Sequence, residues 1–316
     1  MSVNSLWQQA EQGQFAGVDG VAVHYAILRH PNERGAVALC TGRVETYLKY
    51  AELVAELYGA GFTLYLWDHR GQGLSGRMLE NPHIGHVRRF DDYIEDFHRF
   101  YQQHIAPAGH RYRALLGHSM GGAIATAYLQ RYPEHFQAAA LSAPMYGIRL
   151  PLAKAILQPL VSLLASLTPG RYVPGGHDYE PVRFEENELT GDAGRYQTFR
   201  ALYEAQPQLQ LGDPSLNWLK EALQQIDRLA VAEVTVPILV MQAGLDSIVD
   251  NAAQCAFCAR QPQHQLIRYD GARHEILIEQ DPIRSAAITA SMQWWERHGA
   301  AAPSTVSTAN QAAVAR

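Results

Sequence analysis

The chain has 316 residues, of which 47% are apolar and 18% charged, with a formal net charge of −5. That length holds one large α/β domain with an insertion or two modest domains, and the apolar share supplies a sizeable core. The acidic balance leaves no electrostatic footprint for nucleic acid, and three cysteines, Cys40, Cys255 and Cys258, exclude a disulfide framework and point to a reducing compartment.

The opening residues "MSVNSLWQQAEQGQFAG" have neither the basic start nor the apolar run of a secretory signal. Nowhere does an apolar stretch reach the roughly 18 residues of a membrane span. Strand and helix signals then alternate. "VAVHYAIL" (Val21–Leu28) alternates as a strand after an Asp-Gly turn, and "AVALC" reads as a short buried strand. "TYLKYAELVAELYGAG" has helical spacing and stops at glycine. "FTLYLWD" is a strand ending at the glycine-rich loop "HRGQGLSG", and "FDDYIEDFHRFYQQHI" is an amphipathic helix. Next come the strand "YRALLGH", a helix after Ser119 and the strand "FQAAALSA". "PILVMQAG" and "HQLIRYD" are later strands, and "DPIRSAAITASMQWWERH" is a closing helix. This alternation predicts a mostly parallel central sheet flanked by helices on both faces. Cys255 and Cys258, one helical turn apart, are expected to be small buried residues rather than metal ligands; no metal or organic cofactor is implied.

Between residues 144 and 234 the alternation lapses, which predicts a mainly helical cap inserted between core segments 1–143 and 235–298. Within it, "PLAKAILQPLVSLLASL" (Pro151–Leu167) is apolar nearly all round. It reads either as ordinary cap packing or, through Leu157, Leu160 and Leu164, as a wall for an acyl chain or a lipid-docking surface. Residues 299–316 are Ala/Ser/Thr-rich and predict a disordered tail.

"LLGHSMGGAIA" (Leu115–Ala125) places Gly-x-Ser-x-Gly where a strand turns into a helix. This is the nucleophile elbow, a turn so tight that Gly117 and Gly121 must be small while Ser119 is lifted above the sheet edge. A serine hydroxyl needs a base, and in this fold the partners follow in the order Ser, Asp or Glu, His. Asp246 comes directly off the strand "LVMQAG", with Asp250 as its rival, and His274 lies in the loop before the last helix. Ser119 would attack a carbonyl, His274 would shuttle the proton, and Asp246 would fix the imidazole tautomer. The backbone N–H groups of Met120 and Arg43 are expected to form the oxyanion hole. The Arg43 side chain is expected either in water, paired with a carboxylate, or on a phosphate, with Arg77, Arg88 and Arg89 as a basic fringe.

"GHSMGG", "WDHRGQGLSG", "GLDSIVDN" and "HEILIEQD" together resemble the α/β-hydrolases of the monoacylglycerol lipase group, and within it the bacterial lysophospholipases of the second type. "GRVETYLKYAEL" and the cap piece "LTGDAGRYQTFRALYEAQPQL" are similar to that group too, so the resemblance covers roughly Phe15 to His298. It implies the α/β-hydrolase fold and hydrolysis of a single acyl ester in a lysophospholipid or monoacylglycerol. It also implies a cytoplasmic protein able to sit peripherally on the inner membrane. The other readings are a carboxylesterase for small soluble esters, a peptidase on the same scaffold, and a ligand-binding protein without turnover. Dehalogenase and epoxide hydrolase chemistry would need a carboxylate in place of Ser119.

Overall fold

Segments apolar at nearly every position form strands buried on both faces. GAVALC (β3, Gly35–Cys40), FTLYLW (β4, Phe62–Trp67) and ILVMQA (β7, Ile238–Ala243) are of this kind. The computed structural model describes residues 6–300; the tail expected from residue 299 falls almost wholly outside the described residues. The sheet is completed by β1 (Glu11–Ala16), β2 (Ala22–Leu28), β5 (Arg113–His118), β6 (Ala138–Ser142) and β8 (Gln265–Tyr269). Its order is β1-β2-β4-β3-β5-β6-β7-β8. Strand β2 is antiparallel to both neighbours, and β3 to β8 all run parallel.

Successive side chains of a strand point to opposite faces. Ala36, Ala38 and Cys40 therefore join a core under α2 (Asp91–Phe100) and α3 (Met120–Arg131), with Trp67, Phe97 and Ile124. Val37 and Leu39 join a second core under α1 (Ala51–Gly59) and α8 (Asp281–Arg297), with Leu53, Leu66 and Trp295. The fold is that of the α/β-hydrolases. Strand β1 had no counterpart in the sequence reading: it is an edge strand in which Phe15 alone is buried.

Between β6 and β7 the chain leaves the sheet and forms α4 (Lys154–Leu167), α5 (Ala193–Ala205) and α6 (Leu216–Leu229). Helix α4 packs on α6. Helix α6 also packs on α3, and its Trp218, Ala222, Ile226 and Leu229 join the first core. The cap expected over 144–234 thus ends in a helix that is part of the core's own flank. Helix α7 (Asn251–Ala259) buries Gln254 and Phe257. Cys258 is only partly buried and Cys255 is exposed, contrary to the expectation of two buried thiols, because the buried stripe of this short helix runs through its neighbours. Among the described residues no helix is long and apolar enough to cross a membrane.

Candidate active site

Ser119 sits between β5 and α3 with φ 51° and ψ −118°. A non-glycine residue in that region costs on the order of 1–3 kcal/mol and persists only where its surroundings over-determine it. Here they do: Ser119 N–H donates to the Ser142 carbonyl at 3.0 Å, and the Ser119 carbonyl accepts from Gly122, Ala123 and Met145 at 2.9, 3.2 and 3.0 Å. The two flanking glycines are steric necessities. A Cβ on Gly121 would lie 2.1 Å from the Cys40 carbonyl oxygen, and one on Gly117 would lie 2.9 Å from Leu141 Cδ2.

The strained turn aims the hydroxyl at His274. Ser119 Oγ lies 2.9 Å from His274 Nε2, and His274 Nδ1 lies 2.8 Å from Asp246 Oδ2. All three side chains are buried. The second carboxylate oxygen, Oδ1, accepts the backbone N–H groups of Ile248 and Val249 at 2.9 and 3.0 Å, which fixes the plane of the carboxylate. Burial pushes the Asp246 carboxyl up, but the bond and charge of His274 and the two N–H groups outweigh it, so the group is held below its ordinary value. An ionised Asp246 keeps the proton on Nδ1 and leaves Nε2 free to accept the serine proton. Asp250 is elsewhere, capping α7 through the N–H of Ala252 at 2.9 Å.

The loop after β3 is pinned from several sides. Glu45 accepts the N–H of Gly42. Gln72, from the loop "HRGQGLSG", donates to the carbonyls of Gly42 and Glu45 at 2.6 and 2.9 Å. Tyr203 of α5 donates to the Val44 carbonyl at 2.9 Å. Val44 itself holds φ 65°, an outlying conformation for a β-branched residue. Arg43 lies at the centre of this loop, and both Arg43 and Met120 line the cavity around Ser119.

Beneath the loop lies a buried ion-pair network invisible in the sequence. Lys49 Nζ donates to Glu45 at 2.9 Å and to Glu275, the neighbour of His274, at 2.5 Å. The ammonium also lies 4.5 Å from the Phe199 ring of α5. Lys49 therefore joins the Arg43 loop, the His274 loop and the cap. Burial and the charge of Glu45 raise Glu275, whereas the charge and hydrogen bond of Lys49 and the hydrogen bond of Tyr50 overcome burial and hold Glu45 low. His118, pushed down to about 4 by burial, stands neutral beside them. Glu45, His118 and Glu275 have ligand-type atoms close together, and Lys49 occupies two of the three. Lys49→Met would strand two buried carboxylates and is expected to cost about 3–5 kcal/mol of stability. Without Lys49 the folded pKa of Glu45 rises above the unfolded value of about 4.3, and that of Glu275, already raised, rises further. Stability is then lost as pH climbs through that value, so the gap from wild type should widen from pH 4 to pH 7 in thermal melts. A gap independent of pH would contradict the network.

The triad opens into a cavity of about 370 Å³. Its walls are mostly apolar: Met145, Ile148 and Leu189, Phe199 and Tyr203 of α5, Trp218 and Leu219 of α6, and Ile248 with Val249. This is the size and character of a small-molecule site with a few placed polar groups.

A family model described as serine aminopeptidase, S33 (Hydrolase_4) matches residues 31–281. The chain belongs to this hydrolase family. Among curated relatives it is 36% identical to "Lysophospholipase L2" of Escherichia coli (strain K12), over 94% of this chain and 90% of that protein. It is 30% identical to "Monoacylglycerol lipase" of Mycolicibacterium smegmatis, over 84% of this chain and 90% of that protein. Among solved structures, a soluble variant of monoglyceride lipase from Saccharomyces cerevisiae in complex with a substrate analog superposes with a TM-score of 0.75. It is 21% identical and covers 92% of this chain and 96% of that one. The chain is a serine esterase or lipase of this hydrolase family.

Within that frame several expected contacts fall away from the site. Leu157, Leu160 and Leu164 do not line the cavity. Helix α4 turns Val161 and Ala165 inward and leaves Ile156, Leu160, Leu163 and Leu167 exposed; an all-apolar helix does not announce which face it buries. The expected basic fringe also shrinks. Arg77 donates to the carbonyls of Ser75, Pro82 and Gln208, Arg88 pairs with Asp19 and Arg89 with Asp92, so only Arg43 of that set reaches the cavity. Residues the sequence reading missed are Glu45, Lys49, Gln72, Arg200 and Glu275. The loop "HRGQGLSG" was singled out for its glycines, and that was the available pointer to Gln72.

Proposed function

We propose that the protein hydrolyses the single acyl ester of a lysophospholipid or monoacylglycerol through an acyl-enzyme on Ser119. His274 serves as general base and then general acid, and Asp246 fixes its tautomer and stabilises the imidazolium. The backbone N–H groups of Met120 and Arg43 stabilise the tetrahedral oxyanion. The observation that carries this reading is the continuous hydrogen-bonded chain from Asp246 through His274 to Ser119 at the floor of an apolar cavity. The relatives named lysophospholipase and monoacylglycerol lipase support the lipid substrate over a small soluble ester. A chain-length series of p-nitrophenyl esters tests it: turnover should rise with acyl length, and a preference ending at butyrate would remove the lipid reading.

The protein would act as a cytoplasmic enzyme resting peripherally on the inner membrane. Its three free cysteines suit a reducing compartment. Ile156, Leu160, Leu163 and Leu167 recur at helical spacing on the outer side of α4, with 47% to 71% of each exposed. Such a stripe fits the interfacial zone of a bilayer, each apolar side chain contributing about 1.5–3 kcal/mol when fully buried. Ile156→Glu/Leu163→Glu is expected to reduce co-sedimentation with phospholipid vesicles at least about tenfold. Undiminished sedimentation would remove α4 as the docking element.

A further inference from the structure

Several buried and part-buried arginines of this chain are paired with carboxylates. Arg70 holds Asp96, Arg284 holds Glu56, and Arg195 holds Glu52 and Asp281. Among the described residues Arg43 and Arg200 have no such pair, and unlike Arg77, Arg113 and Arg273, which are also held by carbonyl oxygens, both line the Ser119 cavity. Arg43 Nη2 donates to the Gly212 carbonyl at 2.6 Å, and its guanidinium lies 5.2 Å from the Trp218 ring. Arg200 donates to the hydroxyls of Tyr179 and Tyr196 at 3.2 and 2.8 Å and lies over the rings of Tyr196 and Phe199. Among the described residues the partners of both are neutral oxygens and aromatic faces, and the Nε–H of each is sealed from solvent with no acceptor. Burial lowers Arg43 to about 10, still cationic at neutral pH. Asp213 favours that charge from a distance, but its carboxylate accepts the N–H of His177 at 3.1 Å. Two guanidiniums held in place by neutral partners leave their charge without a counter-anion.

Both arginines line the Ser119 cavity and also an adjoining outer cleft. Arg43 belongs to the loop whose backbone is proposed to meet the oxyanion. A group bound at its side chain would thus share the cavity with the scissile ester. We propose that Arg43 and Arg200 form a subsite for the phosphodiester of a lysophospholipid headgroup. The subsite deepens the esterase reading above and rests on it. Planar guanidiniums match phosphate oxygens with paired donors. The outer cleft is also lined by Glu180, Asp178 and Asp213; Asp178 accepts from Tyr172 and Asn81 and Asp213 from the N–H of His177, which leaves Glu180 as the carboxylate to meet an ammonium beyond the phosphate. The ligand class is therefore a zwitterionic headgroup. A monoacylglycerol offers a hydroxyl at the same position and leaves both guanidiniums without an anion, so the subsite selects lysophospholipid over monoacylglycerol.

The test compares kcat/KM on lysophosphatidylethanolamine and monoacylglycerol of the same acyl chain, for the wild type, Arg200→Met and Arg43→Met. The wild type should favour the lysophospholipid. In each variant the ratio of the two constants should fall by about tenfold to a hundredfold, the loss of a charge-assisted hydrogen bond, carried mainly by KM. Arg200 lies on the cap, so its variant decides the matter even if Arg43→Met does not fold. A second measurement needs no variant: glycerophosphoethanolamine should compete with p-nitrophenyl ester hydrolysis by the wild type, and more strongly than glycerol or inorganic phosphate. Equal inhibition by inorganic phosphate would mean a general anion site and overturn the headgroup assignment. A substrate ratio that moves less than threefold in both variants, with ester hydrolysis intact, would overturn this subsite alone. Inactivity on every ester would overturn the esterase reading, and the subsite with it.

Discussion

Replacing Ser119 with alanine is expected to lower kcat on any ester by about a millionfold, the scale of triad knockouts in serine hydrolases. The reason is local. Among the described residues Ser119 Oγ hydrogen-bonds to His274 Nε2 alone, at 2.9 Å, and no other hydroxyl bonds to that nitrogen. The residual rate would come from water polarised by the oxyanion donors. Stability should change little, because the backbone bonds that hold the turn, from Ser119 N–H to Ser142 and onto the Ser119 carbonyl, are untouched. Alanine tolerates the positive φ no better than serine, so no strain is relieved. Single-turnover kinetics and a thermal melt of the same preparation check both halves. Near-normal turnover would end the nucleophile assignment.

Asp246→Asn is expected to cost about 10⁴ in kcat with KM nearly unchanged. Its mechanism follows from the two N–H groups of Ile248 and Val249, which demand an acceptor at Oδ1. An asparagine must turn its oxygen to them and present its NH₂ to His274 Nδ1. That nitrogen becomes the acceptor, the proton moves to Nε2, and Nε2 can no longer take the proton of Ser119. The geometry survives and the tautomer is wrong. Activity within tenfold of wild type would remove Asp246 from the relay, and Asp250, which caps α7, would have to be re-examined by the same substitution.

What could be read from the sequence was whatever carried a local period or a fixed chain order. The end of strand β5, the glycines at 117 and 121 and the start of the helix after Ser119 occupy eleven adjacent letters, "LLGHSMGGAIA". Asp246 and His274 were found because strand ends place side chains on one rim of a parallel sheet. Polar contacts between segments have no such signature. Lys49 meets Glu275 across 226 positions and Tyr203 meets Val44 across 159, so neither spacing nor composition hints at them. Strand β1 was missed because its exposed edge needs no alternation of apolar residues. The cap was misread residue by residue for a related reason. Its helices are amphipathic toward partners that the sequence does not name, so Phe199 and Tyr203 of α5, rather than Leu157, Leu160 and Leu164 of α4, became the cavity wall.

The central claim is that three side chains from distant loops act as one relay on the hydroxyl of Ser119. It is tested most directly by exposing the protein to a fluorophosphonate and mapping the adduct by mass spectrometry of its peptides. The account predicts one adduct per chain, located on Ser119 and lost when His274 is replaced by alanine. An unlabelled protein, or a label on any other residue with Ser119 untouched, would contradict it.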